Sequence, residues 1–248
     1  MSGHSHWATI KHKKGAIDAK RGKLFSKLSR AIIIAARHGG GDPETNLKLR
    51  YAIDKAREVS MPKDNIERAV KRGTGEMEGL VFEEITYEGY GPGGVAFLVD
   101  VLTDNRNRTS GEIRKIFERS GGKMGSAGNV AFLFERKGSF SINADTTDED
   151  GLMNIALDAG AEDLKRVGTT FEVTCDPAAF NQVKEALQKN KLTPTVAEIS
   201  QVPKVPREVD VDVGKKVIRL METLDDHDDV QSVYCDANIT EAMVAEVE

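Results

Sequence analysis

Apolar residues in the first third of the chain recur at spacings of three and four, which is the period of an amphipathic helix. From Asp18 to Arg37 they share one helical face, and the glycine run at 39–41 predicts the end of this helix. The apolar positions on that face are Leu24, Leu28, Ala31, Ile32 and Ala35.

Two further helices are predicted before residue 74. Asp42 is the predicted N-cap of the second helix and Pro43 its first residue. The third helix is predicted from Pro62 to Gly73. Residues 18–73 therefore predict a three-helix domain with short loops.

After residue 79 the hydrophobic pattern changes to that of β-strands. Strands are predicted at 82–87 and 95–102, joined by the glycine-rich turn 89–94. The capping-box pattern Thr109–Glu112 predicts the start of a helix, and a further strand is predicted at 130–134.

The next segment has the order strand, helix, strand, strand, helix, strand, which is typical of ferredoxin-like domains. Its strands are predicted at 139–142, near Leu164, at 170–175 and at 195–202, and its helices at 148–159 and 177–190. A final helix at 212–224 and a strand at 230–235 can complete the preceding β-rich half.

The predicted fold class is α+β: a three-helix N-terminal domain followed by two ferredoxin-like α+β domains, the third inserted in the second. The boundaries are 1–75 for the basic arm and helical domain, 80–137 plus 207–248 for the second domain, and 138–206 for the insertion.

The helical first part of the chain and the remainder also differ in net charge. Residues 1–72 hold seventeen Lys and Arg against seven Asp and Glu, a net charge of +10. The whole chain holds 35 basic and 40 acidic residues, so residues 73–248 hold 18 and 33, a net charge of −15. We call residues 73–248 the acidic body. The positive net charge of residues 1–72 points to a polyanionic partner for that part of the chain.

Cations of the arm and of the first helix are therefore predicted to contact nucleic-acid phosphates. They are Lys11, Lys13, Lys14, Lys20, Arg21, Lys23, Lys27 and Arg30. The alternative is an ordinary solvated face, but Asp18 is the only acidic residue between positions 1 and 41.

Trp7 lies in the arm, with His4 and His6 before it. Its indole can stack on a base or anchor the arm on the helical domain. The spacing of histidines 4, 6 and 12 matches no zinc pattern, so no metal or other cofactor is predicted.

Two segments of the acidic body have alternative interpretations. Arg106 and Arg108 can form an anion site beside a helix N-terminus, or they can pair with carboxylates of the body. The acidic run at 225–229 lacks the alternation of a calcium loop and is expected to be a solvated loop.

Other features limit the classes of function. No nucleophile elbow, HExxH motif or cysteine–histidine signature is present, so no enzyme is predicted. The chain has no apolar run long enough for a membrane span. Cys175 and Cys235 are expected to be buried free thiols in a reducing cytoplasm.

Several motifs occur in an order that closely resembles the YebC family, which includes a mitochondrial translational activator of cytochrome oxidase subunit I. They are GHSHW at 3–7, KHKK at 11–14, DAKRGK at 18–23, FSK at 25–27, GGGDP at 39–43, YEGYGPGG at 87–94, TDNRNRT at 103–109 and LDDHDDVQ at 224–231. The resemblance covers essentially the whole chain.

The resemblance implies a helical domain and two α+β domains around a central cleft, in a cytoplasmic protein without enzymatic activity. Bacterial members of the family are described as DNA-binding transcriptional regulators. Other members act in translation at the ribosome and ease the synthesis of difficult sequences such as proline runs.

Hypotheses from different classes follow. The first is a nucleic-acid-binding regulator of gene expression, although no helix that could read DNA bases is evident. Its alternative is a ribosome-associated translation factor that binds RNA and relieves stalled synthesis. The second is a protein-interaction module whose basic face docks on the acidic body. The third is an enzyme that uses the loop at 104–109, for which no nucleophile and base can be named.

Overall fold

In a computed structural model of the protein, residues 18–247 are described. The predicted N-terminal helices are present as α1 (Asp18–Gly39), α2 (Leu47–Glu58) and α3 (Lys63–Gly73). Their apolar faces meet in one core, to which each helix contributes fully or nearly fully buried side chains such as Ile32, Leu49 and Ile66. The prediction of three helices for this segment is confirmed.

The start of α2 differs from the prediction, because Asn46 and not Asp42 is its N-cap. The Asn46 side chain accepts a hydrogen bond from Leu49 N (3.1 Å) and donates to the carbonyl oxygens of Ala35 (2.7 Å) and Gly40 (2.8 Å). One buried side-chain amide therefore provides hydrogen-bond partners for backbone carbonyls at the end of α1 and for a backbone N–H at the start of α2. Asp42 instead accepts from the backbone of a turn.

The first sheet takes strands from two separate parts of the chain. Its elements are β1 (Glu83–Tyr90), β2 (Ala96–Thr103), α4 (Arg106–Arg119), β3 (Lys123–Met124), α7 (Val211–Asp225), β8 (Val230–Cys235) and the short α8 (Glu241–Ala245). The strands are antiparallel in the order β3-β1-β2-β8. The apolar face of α7 packs on this sheet, with Val217, Ile218 and Met221 buried.

The predicted strand at 130–134 is wrong. Residues Ala131–Leu133 form a 3₁₀ turn, and the third strand of the first sheet is the two-residue β3. The carboxylate of Glu88 accepts the backbone N–H groups of Val130 (2.7 Å) and Ala131 (2.9 Å), so these groups are not free to form a strand ladder.

The second sheet has the predicted order of strands and helices. Its elements are β4 (Phe134–Asn143), α5 (Glu149–Asp158), β5 (Ala161–Val167), β6 (Thr170–Cys175), α6 (Phe180–Lys189) and β7 (Val196–Pro203). The strands are antiparallel in the order β5-β6-β4-β7. Phe140, Phe171 and Phe180 lie in the core between this sheet and its helices.

The α+β class, with N-terminal helices and two four-stranded antiparallel sheets, is confirmed. The insertion and its boundaries stay a prediction. The predicted boundary at residue 138 lies inside β4. The pairing of β8 with β2 is the contact that an insertion requires, because it joins strands from the two separate parts of the second domain.

Cys175 and Cys235 are buried free thiols, as predicted, and burial raises their pKa to about 11 and about 12. Among the described residues, no helix is long and apolar enough to cross a membrane.

Candidate nucleic-acid interface

The predicted basic face of α1 is present, and part of it touches the acidic body. Lys23, Lys27 and Arg30 follow one another at spacings of four and three, so they project from one side of the helix. We call these three residues the docked face. The side chains of Lys20 and Arg21 lie outside the described residues, as does the whole arm with His4, His6, Trp7, Lys11, Lys13 and Lys14.

The docked face binds the acidic run 225–229, which begins at the last residue of α7. Lys27 Nζ donates to the carbonyl oxygen of Asp225 at 2.6 Å and lies 3.4 Å from its carboxylate. Lys23 donates to the carbonyl of Asp226 and lies 3.5 Å from the carboxylate of Asp228. Cations at a helix C-terminus complement its unpaired carbonyls and the negative end of its dipole.

Asp229 is the buried centre of this contact, with 3% of its side chain exposed. One carboxylate oxygen accepts from Arg30 at 2.9 Å, and the other accepts from Arg108 at 2.8 Å and from Thr109 at 2.6 Å. Burial opposes the ionisation of Asp229. The hydrogen bonds from Thr109 and Arg108 and the charge of Arg30 outweigh burial, and they hold its pKa below the ordinary value.

His227 fixes the middle of the same run. Its Nε2 lies 2.9 Å from a carboxylate oxygen of Glu112 on α4, and its Nδ1 accepts the backbone N–H of Asp229 at 3.1 Å. The expectation of a solvated loop at 225–229 is therefore wrong. Partners on α1 and α4 hold this run, although the side chain of Asp228 remains largely exposed.

The two arginines of α4 differ. Arg108 makes the carboxylate pairing that was one of its two interpretations, with Asp104 at 2.9 Å and Asp229 at 2.8 Å. Arg106 is exposed and makes no ion pair within residues 18–247. The predicted helix start at Thr109 is wrong: Asn105 is the N-cap, and Thr109 turns its hydroxyl to Asp229.

Sequence reasoning missed a second basic surface, on α3. Arg68, Lys71 and Arg72 are exposed and make no ion pair in the part of the chain that the structure describes. We call these three residues the open face. The signal was available, because the buried positions Ile66 and Ala69 of α3 imply that the cations between and after them face outward.

A central cleft of about 280 Å³ separates the helices from both sheets. On its walls, Lys55 of α2 lies 2.8 Å from Glu198 of β7. Tyr51 donates to Asn181 at 2.7 Å and packs edge-on against Phe180 of α6. Side chains of both signs of charge line this cleft. It is therefore a less favourable binding surface for a polyanion than the open face is.

Two family profiles match the chain. One, described as the TACO1/YebC protein N-terminal domain, matches residues 5–76. The other, described as the TACO1/YebC second and third domain, matches residues 82–237. Together they cover the helical domain and both sheets.

Similar proteins and a similar structure extend over nearly the whole chain. A probable transcriptional regulatory protein from Dictyoglomus turgidum is 55% identical over 245 residues, which is 98% of each chain. One from Desulfatibacillum aliphaticivorans is 53% identical, covering 99% of this chain and 100% of the relative. The crystal structure of a conserved hypothetical protein from Aquifex aeolicus matches with a TM-score of 0.85 and 46% identity, over 95% of this chain and 98% of that one.

Proposed function

The chain belongs to the TACO1/YebC family, and from that premise we propose that it regulates gene expression by binding nucleic acid rather than by catalysis. Relatives named probable transcriptional regulatory proteins support the regulatory part of this proposal. The charge of the helical domain supports the binding part. We place this action in the cytoplasm.

The observation that carries the proposal is the excess of positive charge at the N-terminal end. Residues 1–72 carry a net charge of +10, and this total includes the three exposed cations of the open face, which form no ion pair with a described carboxylate. Each cation that contacts a phosphate releases condensed counterions, which gives affinity without sequence recognition.

The proposed contacts are of two kinds. The first kind is direct phosphate or base contact, which we assign on the sequence pattern to His4, His6, Trp7, Lys11, Lys13, Lys14, Lys20 and Arg21. We add Arg106 because it is exposed and makes no ion pair within residues 18–247. The docked face and Arg108 already hold carboxylates, so phosphate must compete with the acidic run for them.

The alternative is a ribosome-associated translation factor that binds ribosomal RNA and relieves stalled synthesis. The docking of α1 favours it over a DNA reader, because a helix whose basic face lies on the body is not free to enter a major groove. Scattered cations suit the irregular phosphate backbone of folded RNA.

Crosslinking in intact cells, followed by sequencing of both the attached DNA and the attached RNA, tests the proposal. Discrete ribosomal RNA positions support the translation factor, and promoter DNA without a ribosomal signal supports direct transcriptional control. A K11Q/K13Q/K14Q variant should lose crosslinks of either kind. If neither nucleic acid is enriched, the proposal fails and a protein-interaction module, with α1 docked on the body, becomes the better account.

A further inference from the structure

A groove of about 390 Å³ runs between α1 and α3 on the side of the open face. Arg68 and Arg72 line it from α3, one helical turn apart, and both are exposed and without an ion pair in the described part of the chain. Two guanidinium groups on one wall suit a phosphate, because Arg binds phosphate through paired N–H donors.

The facing wall of the groove is α1. Arg30 lines it with its guanidinium carbon 5.5 Å above the ring centre of Phe82, while Nη1 of the same group bonds to Asp229. The carboxylate and the ring therefore hold Arg30 in one position. Ser29 adds a hydroxyl to this wall.

The end of the groove is apolar. Leu80 is 65% exposed, and it lines the groove beside the partly buried Phe82. An exposed leucine next to two unpaired arginines is a surface that suits a flat apolar group attached to an anion. A nucleotide has this chemistry, with a base for the apolar end and a phosphate for the arginines.

We propose that this groove binds one unpaired nucleotide of an RNA strand, with its phosphate on Arg68 and Arg72 and its base against Leu80. The volume corresponds to a small-molecule site and is too small for a duplex. A base can reach Leu80 only when it is unstacked, as bases are in RNA loops, and the Ser29 hydroxyl can bond to a ribose 2′-OH. This inference rests on the proposed function, because it names where and how the helical domain contacts nucleic acid.

The test is the affinity of the full chain for a labelled single-stranded oligouridylate, measured over a range of salt concentrations. An R68Q/R72Q variant should bind roughly tenfold more weakly, and the magnitude of its log–log salt slope should fall by about 0.7 for one lost single-strand phosphate contact. An R57Q/K63Q variant is the matched control, because it also removes two exposed cations of the helical domain but none from the groove.

A second variant tests the base contact. L80S should weaken oligouridylate binding about fivefold and leave the salt slope unchanged, because it removes no charge. Affinity for a double-stranded RNA should not change. Since Leu80 is largely exposed, the thermal unfolding midpoint should stay that of the wild type, which separates loss of contact from loss of fold.

The outcomes separate the two proposals. If the wild-type chain binds no nucleic acid, the proposed function fails. If it binds and R68Q/R72Q behaves like R57Q/K63Q, the function stands and the groove assignment is overturned. Equal binding of a single-stranded DNA of the same base order would overturn the assignment to RNA.

Discussion

The docked face and the open face are both rows of cations in the helical domain, but their surroundings differ. Each cation of the docked face contacts a carboxylate or a carbonyl of residues 225–229. The open face makes no ion pair within residues 18–247. A count of charged residues gives the sign of a domain's net charge, whereas only the fold shows which of these residues are neutralised by an ion pair.

The difference has a local cause. The acidic run brings backbone carbonyls at the end of α7 together with aspartates in one short segment, so it attracts a basic helix. Once α1 docks there, Asp229 is removed from water, and its charge then depends on Arg30, Arg108 and Thr109. The cations of the open face form no ion pair with a carboxylate of the described residues.

The largest effect is expected from removing the charge at the centre of the docked contact. D229N should lower the free energy of unfolding by roughly 3 kcal/mol, because it leaves Arg30 and Arg108 facing a neutral amide. Chemical denaturation measures this change. The control is D226N, since Lys23 contacts the Asp226 carbonyl and not its exposed carboxylate. An equal loss in both variants would mean that Asp229 has no special role.

A smaller loss is expected where α3 approaches α1. A Cβ added at Gly73 would lie 2.5 Å from the carbonyl oxygen of Ile33, so G73A forces the two helices apart. This overpacking should cost about 2 kcal/mol of unfolding free energy, measured by thermal or denaturant unfolding.

Gly111 on α4 provides the control for this substitution. A Cβ there meets nothing within 4 Å, so G111A should be neutral or should stabilise the protein by about 0.5 kcal/mol. If G73A proved as harmless as G111A, the spacing between the two cationic faces would not depend on this close contact.

The smallest of these effects is a dependence on pH. The folded-state pKa of Asp229 lies below its ordinary value of 3.8, so the stability that this carboxylate contributes is fully present above pH 3.8. It is lost as the pH falls through the lower folded pKa. Unfolding free energies measured between neutral pH and pH 3 should show a steeper acid loss for the wild type than for D229N.

Much of the fold was predictable because its signals are local. The strands β6 and β8 have the predicted bounds, since each is a short run rich in β-branched and aromatic residues. The run at 130–134 has the same composition, but the carboxylate of Glu88, more than forty positions earlier, takes its backbone N–H groups. A side chain so distant in sequence leaves no periodic signal.

The candidate site likewise has one part that was predictable from local sequence and one part that was not. The cations of α1 were predicted, but their docking was not, because Lys27 and its partner Asp225 lie 198 positions apart in the chain. The open face was predictable from the buried positions of α3. It was missed because α3 also carries acidic residues, Asp64 in its first turn and Glu67 after it, so the helix does not read as basic throughout.

The most direct test of this account compares one cation from each face. K27Q and R72Q each remove a single positive charge, and their affinities for single-stranded RNA and their unfolding free energies are measured side by side. The account predicts that R72Q weakens RNA binding and leaves stability within about 0.5 kcal/mol of the wild type. K27Q should destabilise the chain by about 1 kcal/mol and change the affinity less than R72Q does. If K27Q weakened RNA binding as much as R72Q, the distinction between the docked face and the open face would be contradicted.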